Sequence, residues 1–200
     1  MSLRKDLALV ADLVPEASRV LDLGCGSGDL LYHLVQERRC RGTGVEIDPG
    51  MVLGAIRLGV PVIELDIDRE LDGFADSSYD VVVLSRTIQT VRYPDRVLRH
   101  MARIADRLIV SVPNFGWYRH RLRLLTGRLP MGKDLPYSWY DSPNLRYTTL
   151  HDLQLLFDKV GLVVEQSIPL NASGDPLRLR SGSGNLLASS AVYVLRPARA

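Results

Sequence analysis

Asp22, Gly24, Gly26 and Gly28 stand at alternating positions where the apolar run Val20-Leu21-Asp22-Leu23 ends. Glycine accepts positive φ and lets the backbone come close to a ligand, so this spacing predicts a tight, ligand-facing turn. A dinucleotide pyrophosphate is a poor match. The G-x-G-x-x-G spacing would place its third glycine where Asp29 stands, and that carboxylate is badly placed against phosphates. A cationic ligand suits the loop better. Glu46 ends the next apolar run about 20 residues later, and a carboxylate at the carboxyl edge of a parallel sheet can take both ribose hydroxyls.

The elements that must position these groups are legible from periodicity. Leu3, Leu7, Val10 and Val14 recur at helical spacing and predict an amphipathic helix over 3–14. The first strand leads through the glycine turn into a helix whose apolar face is Leu30, Leu31, Leu34 and Val35. Gly42–Asp48 is the second strand. Asp48-Pro49 has the N-cap and N1-proline form of a helix start, and Gly59 closes that helix. Val60–Asp66 reads as the third strand, and the acidic run Asp66, Asp68, Glu70, Asp72 after it reads as a turn. Tyr79–Ser85 is a β-branched run of the kind buried on both faces, hence a central parallel strand. The residues that follow, Ser85-Arg86-Thr87-Ile88-Gln89, contain no carboxylate, histidine or cysteine to serve as a base. No catalytic residue can therefore be named.

Pro94–Ile104 reads as a helix and Arg107–Val112 as a fifth strand. Residues 113–148 break the pattern with four prolines and seven of the thirteen aromatics, which marks an insertion. Its aromatic and arginine content suits either a recognition surface or a small satellite core. Trp117–Thr126 is expected to be a short helix presenting Arg119, His120, Arg121 and Arg123. Thr149-Leu150-His151-Asp152 opens a further helix in capping-box form, and Leu162–Pro169 and Leu186–Leu195 should close the sheet as a hairpin around a mobile loop, Asn171–Asn185.

Two hundred residues at 46% hydrophobic content suit a single domain over 1–200. The two cysteines, Cys25 and Cys40, give neither a disulfide framework nor metal-ligand spacing, which predicts a reducing, cytoplasmic location and no metal. No apolar run approaches the roughly 18 residues of a membrane span. The second half carries 13 basic and 7 acidic side chains, but they are dispersed, which argues against nucleic acid as a partner.

Asp22-x-Gly24-x-Gly26-x-Gly28 resembles the first motif of class I S-adenosylmethionine (SAM)-dependent methyltransferases. The whole chain is similar at family level to the MetW methionine-biosynthesis proteins. That likeness is carried by Arg19-Val-Leu-Asp-Leu-Gly-Cys-Gly26, Gly44-Val-Glu-Ile-Asp48, Val112-Pro-Asn-Phe-Gly116 and Leu135-Pro-Tyr-Ser-Trp-Tyr-Asp-Ser-Pro-Asn144. It implies a three-layer, Rossmann-like α/β sheet, mostly parallel with a C-terminal antiparallel hairpin. It also implies a pocket for SAM or S-adenosylhomocysteine formed by Asp22, Gly24, Cys25, Gly26, Gly28, Glu46, Ile47, Asp66, Ile67 and Ser85. By the same likeness Asp22 would hold the ligand's ammonium, Asp66 would accept from the adenine amino group, and the Ile67 N–H would lie near the ring. Arg86 stands where this family leads one to expect glutamine, adding a cation beside the methyl position. The implied partner is homoserine O-acyltransferase, activated by a SAM-binding subunit; the alternative is an active methyltransferase on a small acceptor. Val112-Pro-Asn-Phe is only superficially like the N-P-P-[YF] motif of nucleic-acid methyltransferases and follows the fifth strand rather than the fourth.

Overall fold

The computed structural model describes residues 3–132, 135–180 and 182–198. Lys133 and Asp134 of the aromatic segment and Ser181 of the late loop lie outside the described residues. The sheet is built from β1 (Arg19–Leu23), β2 (Arg41–Glu46), β3 (Val62–Glu64), β4 (Val81–Ser85), β5 (Arg107–Pro113), β6 (Leu162–Leu170) and β7 (Ser190–Pro197). Its strand order is β3-β2-β1-β4-β5-β7-β6. The first five strands run parallel, and β7 inserts antiparallel between β5 and β6. The chain reverses its direction of travel across the sheet between β1 and β4. This is where an open α/β sheet forms its ligand crevice.

The buried run of β4 explains the layering. Val81 and Val83 pack with Val10, Leu31, Leu34 and Ala55, whereas Val82 and Leu84 pack with Val97, Leu98, Met101 and Phe157. Alternate residues point to opposite faces, so one strand feeds two cores. The first core is roofed by α1 (Lys5–Leu13), α2 (Asp29–Arg38) and α3 (Pro49–Arg57), the second by α4 (Pro94–Ile104) and α6 (Leu150–Lys159). Between β5 and α6 lies α5 (Tyr118–Leu125). In β2, a Cβ at Gly42 would stand 2.6 Å from Leu31 Cδ2 and one at Gly44 only 2.5 Å from Cys25 Sγ. The missing side chains let α2 and the glycine turn sit directly on the strand.

Three local expectations need correction. The third strand is shorter than Val60–Asp66, because Val60 is drawn into the α3 cap by its N–H bond to the Ala55 carbonyl and Asp66 belongs to the following turn. Leu186 and Leu187 lie in a helical turn, α7 (Gly184–Leu187), and the last strand starts at Ser190. The buried Asn114 amide donates to the carbonyls of Asn185 and Ala188, at 2.9 and 2.8 Å, and fixes that turn. His120 is not presented with its arginine neighbours. It is 3% exposed, with Nδ1 3.0 Å from the Asn114 carbonyl oxygen and its ring against Trp117 and Phe115.

Candidate functional site

Strand β1 delivers Asp22 to the crevice, in register with Gly44 of β2 and Val83 of β4. The carboxyl is 3% exposed and its Oδ1 has no hydrogen-bond partner among the described residues. Burial, reinforced by the negative charge of Glu46, pushes it up to about 7. Ionising a buried carboxyl without a partner is costly, which is the cause of this rise.

The turn that follows is tied to β2 rather than to itself: the N–H groups of Gly24 and Cys25 both donate to the Val45 carbonyl, at 2.8 and 3.0 Å. Gly24 has φ +73°, and a Cβ there would fall 2.5 Å from Thr87 Oγ1. At Gly26, by contrast, a Cβ would meet nothing within 4 Å, so the backbone there borders open space. Burial and the charges of Asp22 and Glu46 push the Cys25 thiol up to about 12, which makes it a packing group rather than a nucleophile.

Glu46 closes the loop. Its Oε2 accepts from the Gly26 N–H at 2.9 Å, and its Oε1 accepts from Ile47 and Asp48 at 2.8 and 3.0 Å. The Ile47 side chain is 60% exposed. Asp48 does the capping work expected of it, accepting from the Met51 N–H at 2.9 Å. The Leu65 N–H donates to the Glu46 carbonyl, which brings Asp66 and Ile67 to the same edge. The Asp66 carboxylate accepts from the Asp68 N–H at 2.9 Å and lies 3.5 Å from Arg69, so it is also a turn carboxylate. Ile67 is half-buried against the core, and Asp68 accepts from the N–H groups of Arg92 and Tyr93. Ser85 Oγ lies 2.9 Å from Ser111 Oγ.

The structure thus brings Asp22, Gly24, Cys25, Gly26 and Glu46 into one cluster, with Asp66 and Ile67 beyond Glu46 and Ser85 two residues past the β1–β4 register. Sequence reasoning missed Asp6. Its carboxylate, 7% exposed, lies 2.8 Å from Arg86 Nε and 3.2 Å from Arg4 Nε. Arg86 therefore leans on α1, with its backbone in the left-handed region at φ +53°. The signal was an acid inside an apolar stripe, three residues after Leu3 and four before Val10.

The aromatic segment is joined to the turn after β4. Leu145 and Arg146 N–H groups donate to the Gln89 carbonyl at 2.8 and 2.9 Å, and the Arg146 guanidinium donates to the Arg92 carbonyl. Phe115 packs on Tyr147 at 5.0 Å between centroids, a satellite cluster, while Trp139 and Tyr140 remain 74% and 69% exposed. Among the described residues no helix is long and apolar enough to cross a membrane, and no cluster of His, Cys, Asp and Glu is arranged to hold a metal.

The family profile described as "Methionine biosynthesis protein MetW" matches residues 4–195. The chain belongs to the MetW family. It is 30% identical over 178 residues to the "Bifunctional methionine biosynthesis protein MetXA/MetW" of Rhodopirellula baltica, covering 84% of this chain but only 29% of that protein. It is 25% identical over 154 residues to the mitochondrial arginine-hydroxylase NDUFAF5 of Rattus norvegicus, covering 76% of this chain and 44% of the hydroxylase. The chain spans less than half the length of either relative. Among solved structures, a SAM-dependent methyltransferase from Thermotoga maritima, a possible histamine N-methyltransferase, superposes with a TM-score of 0.69 at 23% identity, over 96% of this chain and 87% of that one. The MetW chain thus shares a methyltransferase-like Rossmann fold. Relatives whose names span hydroxylation, N-methylation and methionine biosynthesis show that this fold does not fix the reaction.

Proposed function

We propose that this MetW-family chain binds SAM or S-adenosylhomocysteine in the cluster around Asp22, and acts as a subunit that activates a homoserine O-acyltransferase. The observation that carries the ligand is the orphaned Asp22 Oδ1, on a carboxyl held near neutrality by burial. In this reading Asp22 ionises against the ligand's ammonium group and gives its proton to solvent. The Gly24–Gly28 backbone approaches the amino-acid end, Glu46 accepts from the ribose hydroxyls, and Ile47, Asp66 and Ile67 border the adenine. Glu46 is already immobilised by its three backbone donors, so binding need not order it. SAM supplies a sulfonium-bound methyl group, and Ser85 borders its position.

The partner is supported by the bifunctional MetXA/MetW protein of Rhodopirellula, and we assign the chain to the cytoplasm with that partner. The exposed face of 113–148, with Leu125, Trp139, Tyr140 and Tyr147, is the surface we assign to that contact. A site that reports SAM, made from methionine, would let the partner answer to pathway output.

A second reading, methyl transfer to a small acceptor, is favoured by a cavity of about 610 Å³ beside the turn after β4. Against it, both Asp6 oxygens are engaged by arginines, leaving no carboxylate among the described residues lining the cavity placed to act as a base.

Calorimetry with SAM, S-adenosylhomocysteine and NAD tests the pocket: the first two should bind and NAD should not. Co-purification with the acyltransferase, with and without SAM, followed by assay of acyl transfer, tests the partnership. Unaltered acyl transfer in the reconstituted pair would remove the activating role.

A further inference from the structure

The aromatic segment holds a small pocket of about 240 Å³, lined by Phe115, Tyr137, Trp139 and Tyr147 together with Leu129 and Met131. None of the ten residues assigned to SAM lines it. It is smaller than the roughly 300–1,000 Å³ of small-molecule sites, so it fits one anchoring side chain better than a free metabolite. Building on the partnership with the acyltransferase, we propose that this pocket seats a bulky apolar side chain of that enzyme, from a segment with carboxylates beside the anchor.

Charge selects the flanking carboxylates. Arg123 and Arg128 line the same pocket, and among the described residues no acid does. The Arg123 Nε donates to the Leu129 carbonyl at 3.2 Å, which holds the turn after α5 to the helix. Neither guanidinium is paired with a carboxylate among the described residues. Residues 113–148 as a whole carry six Lys and Arg against two Asp. A ligand cation, which such a set of rings would otherwise attract, is repelled by these two guanidinium groups. Their planar forks of donors match carboxylates instead.

The geometry of the rings favours a protein segment over single-stranded nucleic acid, which needs a succession of open ring faces for its bases. Trp139 and Tyr140 stand edge to face at 88°, and Phe115 is tilted 46° against Tyr147 at 5.0 Å between centroids. These rings wall one socket rather than forming a row of platforms. Leu129 and Met131 complete the lining with flexible apolar surface, of the kind that moulds to a partner's side chain.

Calorimetric titration of the full chain with three blocked pentapeptides tests the chemistry without the partner. The first contains leucine and phenylalanine flanked by glutamates, the second has lysine for each glutamate, and the third has serine for the leucine and phenylalanine. The first should bind saturably, roughly tenfold or more tighter than either of the others, and more weakly as salt is raised. Arg128→Gln should weaken it about three- to fivefold, the size of an exposed charged pair, and Arg128→Glu by more. Trp139→Ala should weaken it roughly tenfold and carries the test should an Arg128 variant fail to fold, as judged by its melting temperature. Equal binding of the glutamate and lysine peptides, tighter binding of a thymidine oligonucleotide than of the first peptide, or no saturable peptide binding at millimolar concentration would overturn the proposal. The acyltransferase is then added, and the first peptide should displace it. An acyltransferase that is not displaced and associates equally well with Arg128→Glu overturns the role of this pocket and leaves the partnership standing. Selective peptide binding by a chain that does not associate with the acyltransferase retires the partnership alone, since the peptides read the pocket's chemistry without it.

Discussion

Replacing Asp22 with Asn gives the sharpest test of the site, because it removes the charge while keeping the shape. In the ligand-free protein burial raises this carboxyl from its ordinary 3.8 to about 7. At about 1.4 kcal/mol per pH unit, forcing it to ionise costs on the order of 4 kcal/mol. The folded state holds the proton more tightly than the unfolded chain, so stability falls as pH rises from about 3.8 to about 7 and stays low above that. Between about pH 5 and pH 8 the wild-type chain should lose roughly 2 to 3 kcal/mol through this one group. Asp22→Asn should abolish that loss, while its unpaired amide costs about 1–3 kcal/mol at every pH. Urea denaturation of both proteins at a series of pH values, without ligand, measures the difference. SAM should invert the wild-type behaviour, binding tighter as pH rises through about 7, and should bind Asp22→Asn weakly at all pH values. Parallel stability curves for the two proteins would refute the account of Asp22 as an unpaired buried carboxyl.

Other outcomes are expected elsewhere in the chain. Glu46→Ala should weaken SAM binding by roughly tenfold or more by calorimetry, since it removes a charged hydrogen-bond acceptor and releases the Gly26 N–H from its anchor. Trp139→Ala, at a side chain 74% exposed, should change unfolding free energy by no more than about 0.5 kcal/mol while impairing association with the acyltransferase in co-purification. Trp117→Ala, packed on His120 and Tyr118, should instead cost stability in chemical denaturation. Gly24→Ala should destabilise by about 2–4 kcal/mol, from the left-handed φ and the 2.5 Å contact with Thr87, and Thr87→Ala should recover part of this. Full additivity of those two changes would mean that the contact is not the cause.

What the sequence revealed divides by the range of the interactions involved. The glycine turn, the Asp48 cap and the two-sided burial of Val81–Leu84 depend on neighbours in the chain or on simple alternation, and all are legible without coordinates. The pairing of Arg86 with Asp6 joins residues 80 positions apart, and no local pattern names the partner. His120 was misread because an arginine-rich run looks solvent-facing, whereas the Asn114 carbonyl and Trp117 supply a buried slot that helical periodicity cannot show. The Leu186–Leu187 pair has strand-like composition, but two hydrogen bonds from Asn114, 71 and 74 residues earlier, hold it as a turn. Asp66 reads from its acidic run as a turn carboxylate, and its bonds to Asp68 and Arg69 show that role; the adenine role rests on the family likeness. Asp22 was picked out through its likeness to the first methyltransferase motif, yet the rise of its carboxyl to about 7 could not be, because that depends on how completely β2 and the turn bury it.

The two glycines of β2 give the glycine turn a fault line outside its own sequence. Gly42 and Gly44 serve as sockets, receiving Leu31 of α2 and Cys25 of the turn. A methyl group in either socket would lift the helix or the turn off the strand as a unit and displace the Gly24 and Cys25 amides from the Val45 carbonyl that registers them. Under the proposed SAM-binding reading, a genetic screen for loss of ligand response would therefore return β2 positions outside the ten residues assigned to the pocket, and the same positions would limit how far this turn can be redesigned.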